Sequence, residues 1–95
     1  MFELRWTNEA ERDLESILAY YLDQGGSRVA EAVCARIMAH VGSLALFPER
    51  CRPGRVPGTK EYVIHRLPYI AVVEIGEESV SILNLIHSAR RYPPG

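Results

Sequence analysis

Four residues in the C-terminal third of the chain have side chains that could together cleave RNA without a metal ion. This reaction needs a base for the 2′-hydroxyl proton, an acid for the leaving oxygen and a cation beside the phosphate. His87 and Tyr92 could transfer the protons, and Arg66 and Arg90 could bind the phosphate. These roles require that the fold brings the four side chains together.

His87 and Tyr92 also have structural interpretations. A histidine at the end of an apolar strand can bind a backbone carbonyl, and a tyrosine ring can anchor a chain terminus by burying its apolar surface. Arg90 and Arg91 can likewise pair with acidic helix residues rather than with a ligand. The residues themselves leave both interpretations open.

Basic residues are concentrated in the second half of the chain. Residues 1–47 carry four Lys or Arg against seven Asp or Glu, and residues 48–95 carry seven against five, for a net charge of −1. A basic surface favours an anionic partner, although a solvated loop explains Arg50 and Arg52 equally well. The target-binding candidates are Arg55, Lys60, Arg90, Arg91 and Tyr92.

Length and composition predict one globular domain spanning residues 1–95. The chain is 47% hydrophobic and 24% charged, as is usual for such a domain. Its apolar runs are too short to span a membrane, and it does not open with a signal-peptide pattern. Two cysteines are too few for a disulfide framework, so we expect a cytoplasmic protein with Cys34 and Cys51 as free thiols. We expect neither a metal ion nor a cofactor.

The apolar runs Tyr69–Ile75 and Ser79–Ile86, joined by Gly76-Glu77-Glu78, predict a β-hairpin. Strand alternation then predicts which side chains of the return strand share a face. One face should hold Val80, Ile82 and Asn84, and the other Ser81, Leu83 and Leu85.

The N-terminal half predicts a strand followed by two helices. Residues alternate through Met1–Trp6, and Thr7 and Asn8 can then cap a helix. Gln24-Gly25-Gly26 should end this first helix, and a second should run from Ser27 to Phe47. The apolar stripes are Ala10, Leu14, Ile17, Leu18 and Tyr21 in the first helix and Ala30, Cys34, Ile37, Val41 and Leu44 in the second.

Beyond Pro48 the chain should return to strands. We expect a short edge strand at Arg55-Val56, a turn at Pro57-Gly58 and a strand over Lys60–Arg66. The predicted fold is therefore α+β. It has an N-terminal strand, then an antiparallel helix hairpin packed on one face of a three- to four-stranded antiparallel sheet.

Three segments resemble the RelE/ParE superfamily of toxins from bacterial type II toxin-antitoxin modules. They are Arg52–Ile64, Pro68–Val73 and Ile82–Pro93, and the pattern of the first helix agrees as well. The chain is most similar to the ParE-like branch. The resemblance implies a small cytoplasmic growth inhibitor that forms a hetero-oligomer with a cognate antitoxin and has no membrane partner.

The superfamily resemblance leaves the target open. ParE-like toxins poison DNA gyrase without known nuclease chemistry, whereas RelE-like toxins cleave messenger RNA in the ribosome. RelE-like nucleases commonly have an arginine at the position that Tyr69 occupies here, which favours the gyrase poison. A third alternative is a homologue that has lost toxicity and only binds an antitoxin.

The predicted hairpin is apolar on both faces, whereas the helices can cover only one. We therefore expect an antitoxin segment to cover the other face, as the resemblance also implies. By the same argument, the protein purified alone should be poorly soluble or self-associated.

Overall fold

A computed structural model describes residues 1–94 and confirms the α+β class. The regular elements are β1 (Glu3–Trp6), α1 (Asn8–Gly42), β2 (Arg52–Pro53), β3 (Lys60–Ile64), β4 (Tyr69–Ile75) and β5 (Ser79–His87). The described strands form one five-stranded sheet in the order β1-β5-β4-β3-β2. The four strands after the helix agree with the prediction, and β1 adds a fifth strand by pairing parallel to β5, whereas the other pairs are antiparallel.

The two predicted helices form one helical segment, α1, that is bent at Gly26. A straight helix of its 35 residues would be about 52 Å long, whereas the longest extent of the described chain is 39 Å. Gly26 has φ 85° and ψ 178°, a conformation essentially restricted to glycine. A single residue thus replaces the predicted loop of the helix hairpin.

The start of α1 matches the prediction, but its end does not. The Thr7 hydroxyl oxygen accepts a hydrogen bond of 3.2 Å from the Ala10 N–H, as an N-cap does. The helix stops at Gly42 rather than at Phe47, because the next turn tightens into a 3-10 helix at Ser43–Ala45. A second 3-10 turn at Pro48–Arg50 leads to β2.

The main core lies between α1 and the sheet. Ile17 and Ile37, from opposite sides of the bend, are buried in the same cluster, as the predicted stripes require. The sheet contributes Ile64, Tyr69, Ala71, Val73, Val80, Ile82 and Leu85.

The predicted alternation along the return strand fails after Ile82. Val72 pairs with Asn84 whereas Val73 pairs with Ile82, so Leu83 is an extra residue in a β-bulge. The bulge reverses the faces beyond it. Leu85 therefore joins Ile82 in the core beneath α1, and Asn84 lies on the opposite side of the sheet.

The predicted edge strand at Arg55-Val56 is displaced to Arg52–Pro53, which pairs with β3. The Pro57-Gly58 turn is confirmed, since the Thr59 N–H donates to the Val56 carbonyl over 3.1 Å. β3 ends two residues earlier than predicted because Arg66 takes a positive φ of 68° in the turn to β4.

Cys34 and Cys51 are both unpaired and partly buried. Burial raises the pKa of Cys51, and Lys60 opposes this increase in part. No helix within residues 1–94 combines the length and the apolarity that crossing a membrane demands.

Candidate functional site

The C-terminal tail, residues 88–94, folds back onto the sheet. The Ser88 N–H donates to the Pro68 carbonyl over 2.7 Å, and the Arg90 N–H donates to the His87 carbonyl over 2.9 Å. The tail then packs Tyr92 on the face of the sheet that is opposite α1, which we call the outer face. The basic residues of the tail are therefore fixed close to the folded domain.

The outer face is apolar at its centre, but the chain covers it itself. Ile70, Val72 and Ile86 are at most 3% exposed, and Leu83 and the Tyr92 ring pack against them. The expectation that this face stays open for an antitoxin is therefore wrong. Sequence patterns missed the cover because it comes from a tail without regular secondary structure.

Tyr92 is tied to α1 by a hydrogen-bonded chain. Its hydroxyl donates to Asn84 Oδ1 over 2.9 Å, and Asn84 Nδ2 donates to Asp13 Oδ2 over 3.0 Å. The Leu85 N–H donates to the same carboxylate oxygen over 2.9 Å. Burial raises the pKa of Tyr92, and the carboxylates of Asp13 and Glu61 raise it further.

Asp13 and Asn84 were not selected from the sequence. Asp13 follows Ala10 by three residues and precedes Ile17 by four, so it lies on the buried side of the helix. This spacing could have identified Asp13 as a residue that faces the sheet. It was overlooked because acidic residues are expected near the start of a helix in any case. Asn84 could not be found because the bulge decides its face.

Glu61 is the buried charge of the outer face, with 2% of its surface exposed. Its Oε2 accepts the Arg55 N–H over 2.9 Å and lies 3.4 Å from Arg55 Nε, while Arg52 Nη2 lies 3.3 Å from Oε1. Arg55 Nη1 also donates to the Arg90 carbonyl over 3.4 Å. The Arg55 guanidinium, a target-binding candidate, is thus engaged inside the molecule.

Sequence reasoning overlooked Glu61, although a signal was present. It is the single carboxylate among five basic residues between positions 50 and 66. A lone acid in such a segment is well placed to neutralise its neighbours.

The structure does not bring His87 and Tyr92 together. His87 is the cross-strand partner of Tyr69, and their rings meet edge to face with centroids 5.6 Å apart. Because Tyr69 belongs to the core beneath α1, the His87 ring lies on that side, whereas Tyr92 lies on the outer face. His87 Nδ1 accepts a hydrogen bond of 3.1 Å from the Ala89 N–H, so this nitrogen is engaged with the start of the tail.

Tyr69 is the residue at which the resemblance to RelE-like nucleases led us to expect an arginine. It is 7% exposed, and its ring lies 6.4 Å from that of Tyr21. Burial raises the pKa of Tyr69 to about 12, and the neighbouring Tyr21 hydroxyl adds to the increase. A neutral, buried phenol at this position cannot clamp a phosphate as a guanidinium does.

The remaining cationic candidates are exposed. Lys60, Arg66, Arg90 and Arg91 extend toward solvent, and none pairs with a carboxylate of residues 1–94. The same part of the chain contains no group of three or more His, Cys, Asp or Glu side chains arranged to hold a metal ion. What the surface presents is free positive charge suited to binding an anionic group.

Comparison with known proteins identifies the family. The model of the family described as ParE toxin of type II toxin-antitoxin system, parDE, matches residues 4–92. The candidate toxin Y4kP of Sinorhizobium fredii is 38% identical over 90 residues, which cover 95% of this chain and 92% of that protein.

Two solved structures have the same fold. One, from the chromosomal ParDE toxin-antitoxin system of P. aeruginosa, is 27% identical with a TM-score of 0.85, covering 92% of this chain and 96% of that one. The other, from the Mycobacterium tuberculosis toxin-antitoxin complex RelBE2, is 25% identical with a TM-score of 0.60, covering 90% and 96%. The fold is therefore that of the RelE/ParE superfamily toxins. Within it, this chain belongs to the ParE toxin family of type II toxin-antitoxin systems.

Proposed function

We propose that this ParE-family toxin inhibits bacterial growth by binding and poisoning DNA gyrase, without catalysing RNA cleavage. The observation that carries the proposal is the separation of His87 from Tyr92 by the sheet. Proton transfer to and from one phosphodiester needs both groups within hydrogen-bond reach of it. Exposed Arg90 and Arg91 can instead act by binding alone.

The structural comparisons support the same branch. The TM-score is 0.85 against the ParDE structure and 0.60 against the RelBE2 structure, at nearly equal coverage of this chain. Tyr69, buried where the nuclease branch has an arginine, supports it independently.

We also propose that a cognate antitoxin neutralises the toxin in a cytoplasmic hetero-oligomer. The two solved neighbours come from a toxin-antitoxin system and a toxin-antitoxin complex. Several apolar side chains of this chain remain exposed and available to such a partner, among them Tyr20, Leu22, Val29, Met38 and Val63.

Expression of the chain without a partner tests the proposal. Growth arrest with an SOS response and DNA breaks supports gyrase poisoning. Arrest with cut messages and lost translation identifies a ribosome-dependent nuclease, and unimpaired growth identifies a non-toxic antitoxin-binding homologue. Purified protein should inhibit gyrase supercoiling and leave ribosome-bound messages intact.

Single substitutions separate binding from catalysis. Arg90→Ala and Arg91→Ala should each weaken gyrase inhibition by degrees, about 5-fold to 30-fold for a loss of 1–2 kcal/mol. His87→Ala should change it less than about threefold, whereas loss of a proton-transfer group would cost about 100-fold to 10,000-fold. Arg36→Ala, an exposed arginine on α1, is the matched control. Specific RNA cleavage that the folded His87→Ala variant loses would overturn the proposal.

A further inference from the structure

Side-chain hydrogen bonds hold the tail to the sheet at Arg90 and at Tyr92. Arg55 Nη1 donates to the Arg90 carbonyl over 3.4 Å, and the Tyr92 hydroxyl donates to Asn84 Oδ1 over 2.9 Å. The side chains of Arg90 and Arg91 are exposed. The backbone of this segment is therefore held at Arg90 and at Tyr92 while the two guanidinium groups stay free.

Glu61 orients the Arg55 side chain that contacts the tail. One carboxylate oxygen, Oε2, receives both the backbone N–H of Arg55, at 2.9 Å, and its Nε, at 3.4 Å. With Nε directed to Glu61, the outer nitrogen Nη1 is oriented toward the Arg90 carbonyl. A carboxylate that is 2% exposed is costly to leave unpaired, so the domain strongly favours this arrangement of Arg55.

We propose that Glu61 is a positioning residue for target recognition, acting through Arg55 to preorganise Arg90 and Arg91. This inference rests on the proposed function, in which the two arginines bind the target. A tail that is already ordered loses less conformational entropy on binding. Adjacent guanidinium groups on a fixed backbone suit a protein surface rich in carboxylates, which they can bind through paired hydrogen bonds.

A matched pair of variants separates positioning from stability. Arg55→Lys keeps a positive charge for Glu61, but it replaces the two nitrogens that reach the carboxylate and the Arg90 carbonyl, Nε and Nη1, by a single nitrogen. Arg52→Lys makes the same change at the other arginine of Glu61, which lies 3.3 Å from Oε1. The Arg52 side chain donates no hydrogen bond to residues 88–94, so it is the control.

The first measurement is the rate of amide hydrogen exchange in the tail, which is monitored by NMR in the free protein. Arg55→Lys should accelerate exchange of the Arg90 N–H by about tenfold, since the opening of this segment becomes easier. Glu61→Gln should act in the same direction, and Arg52→Lys should change the rate less than about twofold. Circular dichroism confirms that each variant is folded.

The second measurement is affinity for purified gyrase. Arg55→Lys should weaken binding about twofold to tenfold, the cost of ordering one or two side chains on association, whereas Arg52→Lys should not. The effects of Arg55→Lys and Arg90→Ala should be less than additive, because both act through one segment.

Equal effects of Arg55→Lys and Arg52→Lys on exchange and on affinity would overturn the inference. If the parent protein does not bind gyrase, the proposed target fails. The exchange rates alone then decide whether Glu61 orders the tail.

Discussion

The acidity of Tyr69 is changed by its burial between α1 and the sheet. Its pKa in the folded chain is raised from 10.0 to about 12. The unfolded chain therefore loses this proton at lower pH than the folded one. The resulting stability is complete below pH 10 and disappears as the pH rises through about 12.

We expect the free energy of unfolding to fall between pH 10 and pH 12, because Tyr69 ionises more readily in the unfolded chain. Denaturant unfolding at pH 9, 10, 11 and 12 measures this decrease. Tyr69→Phe should flatten the curve in that window much more than Tyr20→Phe, at a neighbouring ring that is 58% exposed. Parallel curves for the parent and Tyr69→Phe would contradict the prediction.

Residue types in the sequence singled out three residues of the candidate site but not the residues that support them. Arg90, Arg91 and Tyr92 stand out because charge and aromatic rings are visible in any sequence. Glu61 binds Arg55, which contacts the tail, and Asp13 binds the Leu85 N–H of β5. The tail and β5 are distant along the chain from the two acidic residues. Their partners depend on tertiary packing, which no local pattern records.

At the scale of elements, the bend of α1 depends on one glycine. Gly26, with φ 85° and ψ 178°, turns the second half of the helix back onto the sheet. Gly26→Ala should destabilise the protein by about 1–3 kcal/mol, because an alanine is strained in this conformation. Denaturant unfolding measures the change.

Gly42 provides the control for Gly26. It has helical dihedral angles, φ −58° and ψ −32°, and a Cβ added at this position would meet no atom within 4 Å beyond its own stretch of helix. Gly42→Ala should therefore be neutral or stabilising by up to about 1 kcal/mol. Equal losses for the two substitutions would show that the bend at Gly26 is not under this constraint.

The elements that local chemistry specifies were predictable. The Thr7 cap, the Pro57-Gly58 turn and the β4–β5 hairpin each follow from neighbouring residues. The bulge at Leu83 has no glycine to announce it, and the edge strand at Arg52–Pro53 is only two residues long. The parallel pairing of β1 with β5 joins distant segments, which periodicity cannot reveal.

At the scale of the whole molecule, the tail covers the outer face, which a partner protein was expected to cover. Removing residues 89–95 should expose the cluster of Ile70, Val72 and Ile86, all now at most 3% exposed. We expect increased binding of a hydrophobic dye and self-association in size-exclusion chromatography, since a contiguous apolar patch promotes both. A chain ending at Tyr92 retains the covering ring and is the control. Identical behaviour of the two truncated chains would show that Tyr92 is not the cover.

The pairing of the first strand with the last also determines when the protein can fold. Glu3 is opposite Ser79 and Trp6 is opposite Ile82. At synthesis rates of about 5–20 residues per second, β1 waits roughly 4–15 s for its partner to be translated. A series of ribosome-stalled chains of increasing length should show a single late folding transition, and an early one would contradict this expectation. The surface that carries Arg90 and Arg91 is thus assembled only after β5 has been synthesised.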